Sequence, residues 1–163
     1  MTDPASPRPG EIALAQDPAA ADPDAGLVFI GRLRTPWSRG DCPRNLRQAR
    51  ERGGAFALEI DAPYRPGLSA LSAGDWIWAL YWMAGARRDL IVQTPRHSAG
   101  PRGVFSLRSP ARPNPVAMAA ARLLSLDAEA GRLELDALDA FDGTPLLDVK
   151  PWLPAVDAPE GAA

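Results

Sequence analysis

Proline and glycine set the terms on which this chain can fold. The 163 residues include 18 prolines and 14 glycines, and from Gly26 onward they return at short intervals. Proline in a helix interior removes a backbone donor and clashes with the preceding turn, and glycine there is about 1 kcal/mol worse than alanine. The chain is therefore cut into short segments joined by turns. Many short strands between Pro/Gly turns point to an all-β barrel or sandwich.

The pattern within the segments fills in the elements. Leu27–Leu33 (LVFIGRL) is an apolar run that stops before Thr35-Pro36 and predicts a strand. Ala55–Ile60 predicts another, closed off by Pro63, Pro66 and Gly67. Asp75–Met83 (DWIWALYWM) is apolar at both strand faces, which predicts a buried central strand. Gly103–Arg108 is a further strand. Arg132–Leu138 alternates Leu133, Leu135 and Ala137 with Glu134 and Asp136, the mark of a half-buried strand. Two helical pieces are expected: Pro43–Arg52, with Asp41 near its start and Gly53-Gly54 after its end, and a single turn at Leu68–Ser72. Val116–Leu126 (VAMAAARLLSL) favours helix by propensity, yet Ala130-Gly131 before the next strand suits a hairpin.

Residues 1–25 are rich in Pro, Ala and Asp and lack an apolar period. Such a segment buries too little surface to offset its ordering entropy, so a mobile, dispensable arm is expected. The ending AVDAPEGAA, within residues 155–163, reads the same way. One domain is expected between them, over residues 26–154. The formal net charge is −2, but the arm carries −4 and the tail −2, leaving +4 on residues 26–154. A mildly basic domain keeps nucleic acid open as a partner. With one cysteine, Cys42, and one histidine, His97, an intramolecular disulfide is impossible and the usual zinc ligand sets cannot be filled. His97 reads as a loop residue. No metal is expected. The longest apolar stretch, Trp76–Ala86, is too short to cross a bilayer, and the start does not read as a signal peptide, so a cytoplasmic protein is expected.

No Gly-x-Gly-x-x-Gly opens a helix and no Walker loop occurs. Two long stretches stand out instead: GVFSLRSPARPNPVAM, Gly103 to Met118, and DAFDGTPLLDVKPWLP, Asp139 to Pro154. Each contains a plausible rigid turn, Arg112-Pro113-Asn114-Pro115 and Asp142-Gly143-Thr144-Pro145. In this order and with this flanking sequence they resemble the central motifs of the TsaA-like (TrmO or YaeB-like) family of S-adenosylmethionine-dependent methyltransferases. Weaker similarities precede them: Ile30-Gly31 with Thr35-Pro36, Pro43-Arg44-Asn45, and the aromatic Asp75–Met83. The resemblance spans about residues 27–154 and is the main reason to take Val116–Leu126 as strand.

The resemblance implies a compact β-barrel that binds S-adenosyl-L-methionine, usually as a homodimer. It implies cofactor contacts at Pro43, Arg44, Asn45, Trp82, Met83, Arg108, Met118, Asp139, Ala140, Phe141 and Asp142. These side chains suit the ligand: an arginine fork for its carboxylate, aspartates for its hydroxyls or adenine amine, apolar surface for its ring. The sequence departs from the family pattern at Met83, where His is usual, at Ala117, where Gly is common, and at Asn45, where Gln is common. Longer members carry a further C-terminal domain.

The best-known members methylate the exocyclic nitrogen of threonylcarbamoyl-adenosine beside the tRNA anticodon, which makes tRNA the implied partner. Asp142, Asp148 and Lys150 are candidates near the transferred methyl, with Asp142 as base, and Arg112 and Asn114 as groups that orient the acceptor. The Arg-rich stretch Arg32, Arg34, Arg39, Arg44, Arg47, Arg50 and Arg52 offers contacts for RNA phosphates. The alternatives are a methyltransferase of the same fold with another, small acceptor, and a non-catalytic S-adenosylmethionine-binding module.

Overall fold

A computed structural model describes residues 6–95 and 98–158, so His97 lies outside the described residues. The chain divides into two compact units: Leu27–Trp82 with Met118–Ala163, and the residues up to Gly26 with Met83–Ala117.

The first unit is a closed six-stranded barrel. Its strands are β2 (Gly31–Arg34), β3 (Phe56–Ile60), β4 (Trp76–Trp82), β7 (Val116–Asp127), β8 (Arg132–Leu135) and β9 (Pro145–Pro151), in the order β2-β3-β8-β7-β4-β9 with β9 returning to β2. The expected all-β barrel is therefore present. Side chains alternate in and out along each strand. Leu33, Leu58, Ile77, Leu123, Leu133 and Leu146 are fully buried, each worth about 1.5–3 kcal/mol of burial. Ala79, Ala119 and Ala121 share the interior at 0% exposure, small residues that let a narrow barrel close around larger neighbours. That inward set explains β7: a stretch with helix propensity becomes a strand because its period-2 positions line the barrel.

Several elements differ from the sequence reading. β2 begins at Gly31 rather than Leu27, and Leu27 and Val28 are exposed. A Cβ at Gly31 would lie 1.9 Å from the Glu59 carbonyl oxygen, so pairing with β3 starts where that side chain is absent. Helix α1 (Leu46–Arg52) is capped by Asn45, whose side chain accepts from Gln48 N at 2.9 Å; Asp41 instead accepts from Ser38 N at 2.7 Å. The expected turn at Leu68–Ser72 is a 3-10 helix over Ala62–Leu68, begun rather than broken by Pro63, since proline is tolerated in a first helical turn. β4 is not buried on both faces. Ile77, Ala79 and Tyr81 point inward, while Trp76 is 40% exposed and Trp78, Leu80 and Trp82 are half-buried. The last described residues include the helical turn α2 (Pro154–Asp157).

The second unit holds β1 (Ile12–Ala13), β5 (Leu90–Gln93) and β6 (Arg102–Gly103) in one sheet, ordered β1-β5-β6. The strand expected over Gly103–Arg108 is confined to β6, followed by a 3-10 turn at Val104–Ser106. The N-terminal stretch expected to be a mobile arm contributes β1 here. Glu11 anchors it, accepting from Arg8 Nη2 at 2.5 Å, Arg8 N at 2.9 Å and Thr94 N at 3.3 Å. The Thr94 hydroxyl in turn donates to Pro9 O at 3.1 Å. Hydrogen bonds to Arg8 hold the Glu11 carboxyl down at about 2.

The folded carboxyl of Glu11 titrates below its unfolded counterpart, so its stabilisation is present above pH ~4.5 and is lost as pH falls toward 2. We predict that Glu11→Gln lowers the melting temperature by about 2–4 °C at pH 7. The difference should shrink as pH is lowered through this window. Equal melting curves for the two proteins at pH 7 would show that the segment is not held by this carboxylate.

Candidate functional site

On the barrel, two motif segments are stitched together. Trp37 is buried, packs on Phe56 at a ring distance of 5.8 Å, and donates from Nε1 to Leu138 O at 2.8 Å. The Thr35 hydroxyl donates to Ala140 O at 2.8 Å. Returning bonds run from Asp142 N to Trp37 O and from Gly143 N to Leu33 O, both 2.9 Å. These bonds fix the loop Asp139–Asp142 against the segment Leu33–Trp37. Gly143, at φ +73°, turns the chain into β9. The Thr144 hydroxyl closes the turn on Phe141 O at 2.7 Å.

The same segment carries the start of α1. Arg52 stacks over Trp37 at 4.6 Å and donates to Asp41 O at 2.7 Å. Arg50 donates to Asp136 at 2.6 Å and to Ala120 O at 2.9 Å, and lies over Trp76 at 5.6 Å. These arginines of the basic stretch therefore fasten α1 to the barrel. Pro43 is buried beside the cap, and Arg44 N donates to the Gln48 side chain at 3.1 Å. The Arg44 side chain is exposed, with no polar partner among the described residues.

Tyr81 was not among the residues the motifs singled out. It is buried at the inward end of β4, and its hydroxyl donates to Asp139 Oδ1 at 3.1 Å. The signal for it was available: period-2 alternation from Ile77 and Ala79 places Tyr81 inside, and a buried tyrosine hydroxyl needs a partner. Burial, Asp139 and Cys42 all push its phenol up, so it stays a donor. Cys42 belongs to the same neighbourhood. Burial first, then Asp139 and Asp41, push its thiol up to about 11 against the opposing pull of Arg52. At neutral pH it is a thiol and not a nucleophile. Asp142 is half-exposed and held by Thr35 N at 3.2 Å and Arg34 Nη1 at 3.4 Å. Met118 and Phe141 are exposed, at 45% and 37%. The barrel thus brings together Asp139, Ala140, Phe141 and Asp142 with the Pro43-Arg44-Asn45 turn, while Trp82 is half-buried on the outer face of β4.

Lys150 points outward from β9 and pairs with Asp148 at 2.8 Å, which raises its pKa. In the second unit, Arg112 donates to Ser109 O at 2.9 Å, Val104 O at 3.0 Å and Leu107 O. Its guanidinium clamps this loop and so accounts for the short β6. Asn114 accepts from Arg88 Nη2 at 3.3 Å. Arg108 is exposed, without a polar partner among the described residues, and Met83 donates its N–H to Pro115 O at 2.9 Å.

A cleft of about 550 Å³ on the barrel is lined by Tyr64, Leu68, Trp76 and Trp152 among others; it takes in Asp148, Val149, Pro151 and Leu153 from the end of the second motif but none of the loop Asp139–Asp142. Its rim offers no charged fork to match the motif chemistry, so the loop Asp139–Asp142 remains the better candidate. Among the described residues no group of three or more His, Cys, Asp or Glu is placed to hold a metal, and no helix is long and apolar enough to cross a membrane.

The residues present fit the nucleoside cofactor that the motifs imply. The loop offers carboxylate and carbonyl acceptors for hydroxyls and an ammonium, Arg44 offers a free fork, and Met118 and Phe141 offer exposed apolar surface.

Comparison with known proteins agrees. The chain is similar to the "Probable S-adenosyl-L-methionine-binding protein VirR" of Rhizobium radiobacter, 37% identical over 145 residues, which covers 88% of this chain and 78% of that one. A probable S-adenosyl-L-methionine-binding protein of Methanothermobacter thermautotrophicus is 36% identical, with 85% and 97% covered. The tRNA (adenine(37)-N6)-methyltransferase of Eikenella corrodens is 41% identical over 91 residues, with 54% and 52% covered. Among solved structures, TrmO from Pseudomonas aeruginosa superposes with a TM-score of 0.66 at 30% identity, covering 85% of this chain and 60% of that one. The chain thus spans less than two thirds of these methyltransferases. The family model for the tRNA-methyltransferase O N-terminal domain matches residues 32–158. With the stitched loop and barrel on which that match falls, the chain belongs to the tRNA-methyltransferase O N-terminal-domain family.

Proposed function

We propose that the protein is an S-adenosyl-L-methionine-dependent tRNA methyltransferase acting on the exocyclic N6 of threonylcarbamoyl-adenosine beside the anticodon. The observation that carries this reading is the loop Asp139–Asp142, pinned to Leu33–Trp37 and facing Tyr81 within a barrel of this family. Bound S-adenosyl-L-methionine supplies a methyl on a sulfonium sulfur. The chain's own residues bind and align. Tyr81 fixes Asp139 so that a carboxylate oxygen faces ligand hydroxyls or amine. Arg44 receives the carboxylate, and Met118 and Phe141 cover the ring. Such alignment is worth several kcal/mol of a transfer barrier.

Asp142 is the candidate for the proton leaving the acceptor nitrogen, oriented by Arg34 and Thr35 N. Lys150 and Arg112 are given structural roles by their partners, a surface pair and a loop clamp. A tRNA substrate puts the reaction in the cytoplasm. A homodimer belongs to the same reading, because β4 leaves Trp76, Trp78, Leu80 and Trp82 on a face that a second copy would cover.

We predict that the purified protein transfers methyl to threonylcarbamoyl-adenosine-containing tRNA, measured by nucleoside mass spectrometry. Cofactor binding by calorimetry without transfer would reduce the function to a binding module. Transfer to a small acceptor and not to tRNA would replace the substrate. Tyr81→Phe should raise the cofactor dissociation constant about tenfold, the worth of one hydrogen bond to a carboxylate. Unchanged affinity in this variant would remove Asp139 from the site. Light scattering at micromolar concentration should return twice the monomer mass, and a monomer with bound cofactor would rule the dimer out.

A further inference from the structure

The outer face of β2, β3 and β8 carries a second cleft, about 460 Å³, that the motifs leave unused. Arg32, Arg34, Arg65 and Arg132 line it, against Glu59 and Asp61. Strand alternation places the strand residues there: Leu33, Leu58 and Leu133 point inward, so Arg32, Arg34, Glu59 and Arg132 point out.

The four guanidiniums are not equivalent. Arg34 donates to Glu59 at 2.7 Å and Arg132 to the same carboxylate at 3.5 Å, so one acid serves two arginines. Arg132 also reaches Glu134 at 3.5 Å. Arg65 is held by carbonyls alone, Nε to Ile60 O at 3.2 Å and Nη1 to Glu129 O at 2.6 Å. That fixes its plane without neutralising its charge. Gly131 makes room for it: at φ +72°, a Cβ there would come 2.6 Å from Arg65 Nε and 2.5 Å from Ile60 O. Arg65 commits two of its five donors and leaves three for a partner. The Arg32 side chain is exposed and makes no hydrogen bond or ion pair among the described residues. The cleft therefore holds a fixed fork and a free one in positive excess, the geometry that suits tetrahedral oxyanions.

Its position gives it a use. Arg34 links Glu59 inside the cleft to Asp142 in the candidate site, at 2.7 and 3.4 Å. A strand of nucleic acid whose base reached the loop Asp139–Asp142 would lay its neighbouring backbone along this face. We propose that the cleft grips backbone phosphates of the RNA next to the target nucleoside, a proposal that rests on the tRNA reading. Arg32 and Arg65 are the contacts that add charge, and Arg34 and Arg132 hold the cleft open through Glu59. These contacts position the substrate and carry no sequence information.

The test is fluorescence anisotropy of the full chain with a labelled tRNA transcript between 50 and 200 mM salt (conditions on the order of those that expose phosphate contacts). Arg32→Ala should weaken binding severalfold and flatten the plot of log affinity against log salt by about one. Arg32→Ala with Arg65→Ala should flatten it by about two. Cofactor affinity should stay at the wild-type value in both. Should Arg65→Ala fail to fold, Arg32→Ala decides alone, since the Arg32 side chain has no hydrogen bond or ion pair to lose among the described residues. If the wild type binds and methylates tRNA while both variants keep its affinity and slope, the cleft is overturned and the tRNA reading stands. If the wild type shows no tRNA binding at the lowest salt, the cleft and the tRNA reading fall together.

Discussion

The bonds between Leu33–Trp37 and Leu138–Thr144 are the constraint on which the barrel's candidate site depends. Two backbone donors, one hydroxyl and one indole N–H cross this short gap, and Leu33 N adds a bond to Thr144 O at 2.8 Å. Thr35, Asp142, Gly143 and Thr144 come from the motif segments, whereas Trp37 does not. Together they convert the end of β2 and the entry to β9 into one rigid corner. The corner matters because the loop it holds carries the carboxylates. A loop of four residues with two aspartates would otherwise sample many conformations, and ordering it on ligand binding would cost affinity. Here that ordering is already present in the fold.

Helix α1 depends on the same corner. Seven residues are too few for an isolated helix to persist in water. It persists through Asn45 at its cap, Ala49 buried beneath it, and Arg50 and Arg52 clamped to Asp136 and to the Trp37 ring. The Pro43-Arg44-Asn45 turn is thereby placed without using the Arg44 side chain. Asn45 is spoken for through its oxygen, which makes it first a structural cap and only then a ligand contact. An Asn is among the better cap residues, a local reason for Asn at this position where the family commonly has Gln.

How much of this was legible in the sequence follows from what each signal measures. Alternation gave β8, because Leu133 and Leu135 are inward and their neighbours Arg132, Glu134 and Asp136 are charged, while β3 shows as an apolar run closed by Pro63. It misjudged β4, because tryptophans can occupy an outer face half-buried and still look like core. β9 was missed as a strand since prolines stand at both its ends, where they cost no ladder bond in its middle. β1 and β5 were missed because two- and four-residue strands have no period to detect. The arm's anchoring rests on Glu11, and one buried carboxylate leaves no compositional trace. Among candidate site residues, the motifs point to the loop and to the Pro43-Arg44-Asn45 turn. They could not locate Tyr81, whose role comes from a barrel register that only long-range pairing sets.

The net charge of the chain, −2 with an isoelectric point near 5.4, looks unsuited to a polyanionic partner. Nucleic-acid binding, however, depends on where charge sits rather than on its sum, because exposed charges more than about 8–10 Å apart are screened from one another at physiological salt. Several arginines of the barrel serve its own structure: Arg50 and Arg52 hold α1, and Arg34 and Arg132 share Glu59. Arg34, Arg50 and Arg132 meet carboxylates there, which offset part of their charge. On the face that Arg34 ties to the loop, the arginines held by no acid among the described residues are Arg32 and the carbonyl-bound Arg65. A short patch of this kind gives weak, salt-sensitive contact to a few phosphates. On the proposed tRNA reading, weak contact suits an enzyme that releases each tRNA after one transfer, and it leaves discrimination to the candidate loop.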